Sequence, residues 1–298
     1  MIYTVTLNPA LDYAVTCPAF EKGALNVYRD PAVFPGGKGI NVSLLLKELG
    51  CASVCTGLCA GFTGDEILRL LDEKGIRHDF LKLSGGISRV NFKILAGNET
   101  ELNGAGPEVT REEAEAFLKK LDRVKPGDTL VLAGSQPASV EEGYYERILS
   151  RLDPGVMAVV DATGQRLLRC LKYKPFLIKP NHLELGEIFG RRIETPEDAE
   201  IYGKKLLDRG AWNALISMGS RGAVLVGLKT AYMPAVRGNA VSACGAGDSM
   251  VAGFLYGYSL NGSLDEALKW GTAAGAATAF SKGIANGGFI REIFSSMN

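Results

Sequence analysis

Histidine is nearly missing from this chain: His78 and His182 are the only two in 298 residues. No Gly-x-Ser-x-Gly turn occurs either, which leaves little for a histidine-dependent hydrolase or a His-rich zinc site. There is no surplus of charge. Lys plus Arg and Asp plus Glu both number 33, so the net charge is zero and no global basic field exists to hold a nucleic acid. Any anion site must be local. Long apolar runs are absent as well, since no window approaches eighteen uninterrupted apolar residues. Met1-Ile2-Tyr3-Thr4-Val5-Thr6-Leu7 runs directly into Asn8 and Pro9, so the start reads as a strand and not a signal peptide. A cytoplasmic protein with neither membrane nor nucleic acid as partner is expected. Neither the Gly-x-x-x-x-Gly-Lys-Ser/Thr spacing of a P-loop nor the Gly-x-Gly-x-x-Gly dinucleotide fingerprint is present.

Six cysteines do occur, and Cys51, Cys55 and Cys59 recur every fourth residue. That spacing matches no common zinc or iron–sulfur signature. The β-branched and small residues between them suggest a buried strand, where a free cysteine behaves as a small apolar residue. With 46% hydrophobic and 22% charged residues the chain can bury a large core.

Strand-like runs alternate with amphipathic runs, which predicts an α/β fold around a mostly parallel sheet. Strands are expected at Ile2–Leu7, Ser53–Leu58, Thr129–Ala133, Val156–Asp161, Leu177–Lys179 and Ala214–Ser217. Helical spacing marks Ile40–Leu49, Glu66–Lys74, Glu112–Leu121, Glu141–Leu152 and Glu197–Leu207, with Gly50, Gly75 and Gly210 as stops. Two stretches, 12–34 and 88–103, carry short β-like pieces without a helix and read as insertions forming a small lid sheet. Ligands in such folds bind beyond the C-terminal strand ends. Asp12, Ser135, Asp161, Asn181 and Gly219 all follow predicted strands.

Three segments bear chemistry. Gly245-Ala246-Gly247-Asp248 places an aspartate between a small-residue turn and an apolar helix, so backbone N–H groups and the helix start can face an anion with Asp248 beside it as a base. An ordinary N-cap aspartate would fit the same residues. Pro35-Gly36-Gly37-Lys38-Gly39-Ile40-Asn41 is a glycine-rich turn entering a helix, open to close approach by a polyhydroxy ligand, with Asn41 able to donate and accept to vicinal hydroxyls. A tight βα turn with a solvated lysine is the plainer alternative. Asn181 and Glu184 stand three apart, which on a helix puts both oxygens on one face and suits a hydrated Mg²⁺, with a plain helix start as the alternative.

Together with Thr6-Leu7-Asn8-Pro9-Ala10-Leu11-Asp12 and Lys179-Pro180-Asn181-His182-Leu183-Glu184-Leu185, these segments resemble the phosphofructokinase B family of ribokinase-like sugar kinases. Within it they resemble the 1-phosphofructokinase and tagatose-6-phosphate kinase branch. The resemblance spans nearly the whole chain. It implies one three-layer α/β/α domain over 1–298 with a small β lid, and ATP-dependent phosphorylation of a ketohexose phosphate. D-fructose 1-phosphate is the first acceptor it suggests, tagatose 6-phosphate the nearest alternative, and fructose 6-phosphate or a non-catalytic sugar-phosphate sensor stand behind these.

By the same resemblance Asp12, Gly36, Gly37, Lys38, Asn41 and Ser135 bind the sugar, and Arg89 holds the phosphate already on it. A planar guanidinium suits that task because it grips two phosphate oxygens at once. Asp248 is the base, supported by the turn amides of Gly245, Ala246 and Gly247. Lys179, Ser217, Gly219 and Gly222 lie toward the nucleotide phosphates, with adenine near Ala273–Ala279 and Asn286. Asn181 and Glu184 take the Mg²⁺ surroundings. Pairing of subunits through the lid strands is expected, because small exposed sheet edges are poor independent structures. Two departures stand out: Gly134-Ser135-Gln136-Pro137-Ala138 where relatives often carry Gly-Ser-Leu-Pro-Pro, and Cys244 where valine is usual.

Overall fold

The computed structural model describes residues 1–297, with Asn98 and Glu99 described by their backbone alone. Along the chain come β1 (Ile2–Thr6), β2 (Ala10–Thr16), β3 (Arg29–Gly36), α1 (Lys38–Glu48), β4 (Ser53–Cys59), α2 (Gly61–Glu73), β5 (His78–Lys82), β6 (Arg89–Ala96), β7 (Asn98–Asn103) and α3 (Arg111–Lys120). The second half supplies β8 (Thr129–Ala133), α4 (Tyr144–Ser150), β9 (Met157–Asp161), α5 (Gly164–Cys170), β10 (Leu177–Ile178), α6 (His182–Phe189), α7 (Pro196–Leu207), β11 (Ala214–Ser217), β12 (Ala223–Val226), β13 (Thr230–Met233), α8 (Ala246–Asn261), α9 (Leu264–Ala279) and α10 (Gly287–Ser296).

Among the described residues nine strands form one sheet in the order β13-β12-β11-β10-β9-β8-β1-β4-β5. From β5 to β11 every neighbour pair is parallel, and β12 and β13 close that edge as antiparallel strands. A strand buried on both faces should read as an unbroken apolar run whose alternate residues feed opposite layers. In β8, Leu130 and Leu132 pack with α3 and α4 through Phe117, Tyr144 and Ile148. Val131 and Ala133 pack on the other side with α1, α8 and α10 through Leu45, Val251 and Ile290. The result is a three-layer α/β/α sandwich.

Cys55 and Cys59 lie buried on β4 against Ile67 and Leu71 of α2, in keeping with their apolar reading. Gly253 explains how tightly α8 and α9 approach: a Cβ there would stand 2.7 Å from the Ala274 Cβ. Ala273, Ala274 and Ala277 are fully buried in that contact. No described helix is long and apolar enough to cross a membrane.

A second sheet, ordered β3-β2-β6-β7, is formed by the two stretches that lack helices in the sequence pattern. Its period of two separates the chemistry of its faces. Asp12, Asn91 and Phe34 share one row, and Tyr13, Val33, Phe92 and Leu102 share the next, on the opposite face. Asp12, Lys93, Asn91 and Arg89 therefore lie on one side, and Tyr13, Phe92 and Leu102 on the other.

Several element bounds differ from the sequence expectation for local reasons. Helix α4 begins at Tyr144 and not Glu141, because Val140 and Tyr144 close turns back onto Pro137 and Glu141 first. Helix α1 starts earlier, at Lys38, since the Ile40 N–H donates to the Thr6 hydroxyl at 3.0 Å and ties the helix to the end of β1. Strand β10 stops at Ile178, one residue short of the expected Lys179, whose amide donates to the Val160 carbonyl.

Candidate active site

Helix α8 starts from Gly245, whose φ of 76° lies in the left-handed region that glycine enters without strain. No side chain caps this helix, and the Gly247 and Asp248 amides have no protein acceptor among the described residues. The Ala246 amide makes one long bond, to the Ala243 carbonyl at 3.3 Å. Helices α3, α6, α7, α9 and α10 all carry side-chain caps. An uncapped start with free N–H groups is an anion site in waiting.

Asp248 is buried on the first turn of α8, and its Oδ2 accepts from the Asn41 amide at 2.8 Å. Asn41 reaches it from α1, so the two glycine-rich turns of the sequence meet at one carboxylate. Burial, and then the nearby Asp161 charge, push the Asp248 carboxyl up to about 6, against the pull of Lys38, the Asn41 hydrogen bond and Lys179. A carboxylate with that value is poised as a general base near neutral pH.

Asp161, at the end of β9, is fully buried and answered by two lysines. Lys38 lies 3.0 Å and Lys179 3.7 Å from the same oxygen, Oδ1. Burial alone would raise the Asp161 carboxyl, but Lys179 and Lys38 outweigh it and hold it below the usual carboxylate range. Burial likewise disfavours the Lys38 ammonium, yet Asp161, Asp248 and Glu184 around it raise it above an ordinary lysine. Lys179 also stands against the anion turn, since a Cβ on Gly247 would come within 3.0 Å of its Nζ.

Beside this cluster a cavity of about 270 Å³ opens at the C-terminal ends of β1, β8 and β9. Strand order diverges at β1, with β4 on one side and β8 on the other, which is where open parallel sheets bind ligands. Of the residues expected at the sugar, Gly37, Lys38, Ser135 and Arg89 line it and Asp12, Gly36 and Asn41 do not; Asn8, Asp161 and Arg166 line it as well. Arg89 donates from Nε to the Asn8 carbonyl at 3.0 Å, which leaves the outer edge of its guanidinium free. Desolvation lowers its pKa, opposed by Asp12. Asp12 accepts from Asn91 at 2.9 Å, pairs with Lys93 at 3.0 Å, and packs so near Gly36 that a Cβ there would stand 2.6 Å from its carboxylate.

Asn181 and Glu184 form a reciprocal capping box at the start of α6. The Asn181 Oδ1 accepts from the Leu183 and Glu184 amides, and the Glu184 Oε2 accepts from the Asn181 amide. Glu184 Oε1 has no hydrogen-bond partner among the described residues. Asn181 bridges to Ser217, which ends β11 and precedes the short turn Gly219–Arg221 and Gly222. Asn286 caps α10 by accepting from the Phe289 amide, directly after Ala285, whose own amide donates to Thr278 near the anion turn. Of the alanines in Ala273–Ala279, Ala273, Ala274 and Ala277 are buried in the helix packing, while Ala276 and Ala279 are only partly buried. No group of three or more His, Cys, Asp or Glu residues that could hold a metal ion directly occurs among the described residues.

Residues 5–288 match the model of the pfkB family carbohydrate kinases. The chain belongs to this family. A sugar kinase of the pfkB family takes a phosphoryl group from ATP. The chain is 43% identical to the 1-phosphofructokinase of Bacillus subtilis over 98% of its own length and 97% of that protein. It is 37% identical to the D-tagatose-1-phosphate kinase of Bacillus licheniformis, over 95% of this chain and 94% of that one. Its fold matches phosphofructokinase-2 from Escherichia coli, solved with substrates and products, with a TM-score of 0.92 and 25% identity, over 99% of both chains.

Two residues of this pfkB kinase carry no role in the motif pattern yet stand at the site. Asp161 ends a strand, which was the available signal, and its two lysine partners emerge only in three dimensions. Arg166 follows it in Asp161-Ala162-Thr163-Gly164-Gln165-Arg166, a segment whose spacing matches no motif.

Proposed function

We propose that the protein catalyses ATP-dependent phosphorylation of a ketohexose phosphate, D-fructose 1-phosphate to D-fructose 1,6-bisphosphate. The observation that carries this reading is the cation-lined cavity joined to the Asp248 carboxylate through Lys38, which lines the first and interacts electrostatically with the second. At about 270 Å³ the cavity falls below the roughly 300–1,000 Å³ of drug-sized ligand pockets, so it suits a phosphate and its neighbouring carbons better than a nucleotide.

In this reading Arg89, Ser135 and Lys38 hold the existing phosphate, while Asp12 and Asn41, with Gly36 and Gly37 giving close approach, take the sugar hydroxyls. The far primary hydroxyl then reaches Asp248, which accepts its proton as the oxygen attacks the γ-phosphorus. The free amides of Gly247 and Asp248, with that of Ala246, stabilise charge on the transferred group, and Gly245 shapes the turn that presents them. Lys179, Ser217, Gly219 and Gly222 lie on the nucleotide side, with Asn286 toward the base.

Mg²⁺ bound with ATP would neutralise phosphate charge. Its fit here is partial: Glu184 Oε1 is free while Asn181 Oδ1 already accepts two amides, so the pair suits a hydrated ion held through water.

We further read the chain as one kinase domain whose segments 12–34 and 88–103 form a lid that excludes water during transfer. The outward face of that sheet leaves Phe92 41% and Leu102 54% exposed beside Tyr13, which supports a homodimer joined through the lid. Sedimentation giving only monomer at full activity would refute the dimer. A cytoplasmic location accords with the use of ATP and a sugar phosphate. The 37% identity to a D-tagatose-1-phosphate kinase keeps a tagatose phosphate as the second acceptor. Coupled assays decide between them: kcat/KM should be highest for fructose 1-phosphate, ahead of tagatose 1-phosphate, tagatose 6-phosphate and fructose 6-phosphate. A higher value for any other acceptor overturns the assignment.

A further inference from the structure

Arg166 is an arginine without an ionic partner in a neighbourhood where arginines have them. Arg147, Arg151 and Arg169 each stand within hydrogen-bond range of carboxylates of Glu115, Asp122 and Glu142. Among the described residues no carboxylate lies within 4.0 Å of Arg166, and its Nε is buried with no hydrogen-bond acceptor. Its place is fixed all the same. The guanidinium carbon sits 5.6 Å from the ring centroid of Tyr145, and that fully buried ring donates its hydroxyl to the Gly134 carbonyl at 3.1 Å. Gly134 precedes Ser135 on the loop that lines the cavity, so the stack registers Arg166 against the cavity wall. A guanidinium held over an aromatic face keeps its edge donors available and loses little freedom on binding.

Charge in the cavity is unbalanced in consequence. The Asp161 charge is met at Oδ1 by Lys38 and Lys179, although its buried Oδ2 accepts no hydrogen bond among the described residues, and Arg89 and Arg166 remain as two lining guanidiniums with no carboxylate partner. Two unanswered positive charges match one phosphate dianion.

We propose that Arg166 is a second phosphate-binding guanidinium which, together with Arg89, makes the cavity specific for a phosphorylated acceptor. This rests on the sugar-phosphate reading above. Paired arginines hold a phosphate through several charge-assisted hydrogen bonds, and an uncharged hydroxymethyl group in the same place would leave both guanidiniums desolvated and unpaired.

Two measurements separate this inference from the assignment of substrate. The first uses inorganic phosphate alone as probe, titrated calorimetrically into the full chain at low ionic strength. Arg166→Ala should weaken binding by about tenfold or more, with Arg166→Lys intermediate because an ammonium keeps charge without paired donors. Unchanged phosphate affinity in a folded Arg166→Ala, or in Arg166→Gln should the alanine variant unfold, overturns the proposal whatever the substrate. The second is steady-state kinetics. Arg166→Ala should raise KM for fructose 1-phosphate by about tenfold and leave KM for ATP within about twofold. Equal losses for both substrates would make Arg166 a structural residue through its Tyr145 contact and overturn its phosphate role. A wild-type enzyme inactive on every ketohexose phosphate would sink the assignment of function, while the phosphate titration still decides Arg166.

Discussion

Asp161 and Arg89 line the same cavity and meet their charges in opposite ways. Asp161 is fully buried between Lys38 and Lys179, whereas Arg89 finds only the Asn8 carbonyl. The same contrast separates the two ends of the cleft. Near Asp248 the Asp161 charge is answered by two lysines and Asp248 is held by the Asn41 amide, which fixes geometry before substrate arrives. Toward Arg89 no carboxylate answers the charge, which suits that end to the proposed phosphate. A buried charge with its partner removed is costly, so damage to the first end should reach turnover and damage to the second should reach binding.

The largest expected effect tests the answered end. Asp248→Asn keeps shape and can still accept from Asn41, but the proposed base is gone. We expect kcat to fall by about a thousandfold or more, roughly 4 kcal/mol of barrier, with phosphate binding retained. Near-normal turnover in stopped assays would erase the distinction between the two ends at its strongest point.

The wild-type pH profile sharpens the same side. Since the base must be ionised and its pKa is raised to about 6, activity should be full above that value and fall as pH drops through it. Below the pKa, kcat/KM should lose about tenfold per pH unit. A profile flat down to pH about 5 would mean that Asp248 is not the titrating group.

The unanswered end should break differently. Arg89→Ala should raise KM for the sugar phosphate about tenfold, with KM for ATP nearly unchanged, and Arg89→Lys should recover part of the loss. Matching losses for sugar phosphate and ATP would instead indicate a misplaced lid, because Arg89 also ties β6 to Asn8.

How much of this cleft could be read from the chain follows from the range of each interaction. Gly245–Asp248 and Gly36–Asn41 are local turns, legible because small residues at fixed spacing leave few alternative backbones. The two helix-free stretches were legible as a sheet because β propensity with no helical period survives in sequence. By contrast, the Lys38 bond to Asp161 spans 123 residues and the Asn41 bond to Asp248 spans 207. Nothing local encodes such contacts. Arg166 is the sharpest case: an arginine on a short helix reads as solvated until the missing carboxylate and the Tyr145 stack are seen in space.

The smallest expected effect concerns α6, where the two behaviours meet in a single residue. One oxygen of Glu184 is answered, by the Asn181 amide, and the other is not. Glu184→Ala removes both and confuses their roles, since loss of a capping box destabilises a helix start by itself. Glu184→Gln separates them. Its amide oxygen can still accept from the Asn181 amide, so melting temperature should be unchanged, but the charge that would favour a hydrated cation is gone. We expect the Mg²⁺ concentration for half-maximal activity, titrated at fixed ATP, to rise about fivefold in Glu184→Gln with kcat at saturating Mg²⁺ close to wild type. Asn181→Ala should lower the melting temperature by removing the cap and shift the Mg²⁺ titration in the same direction. If Glu184→Gln titrates as wild type while Glu184→Ala melts early, the pair is a helix start and no more, and the cation must be held by ATP and groups elsewhere in the cleft.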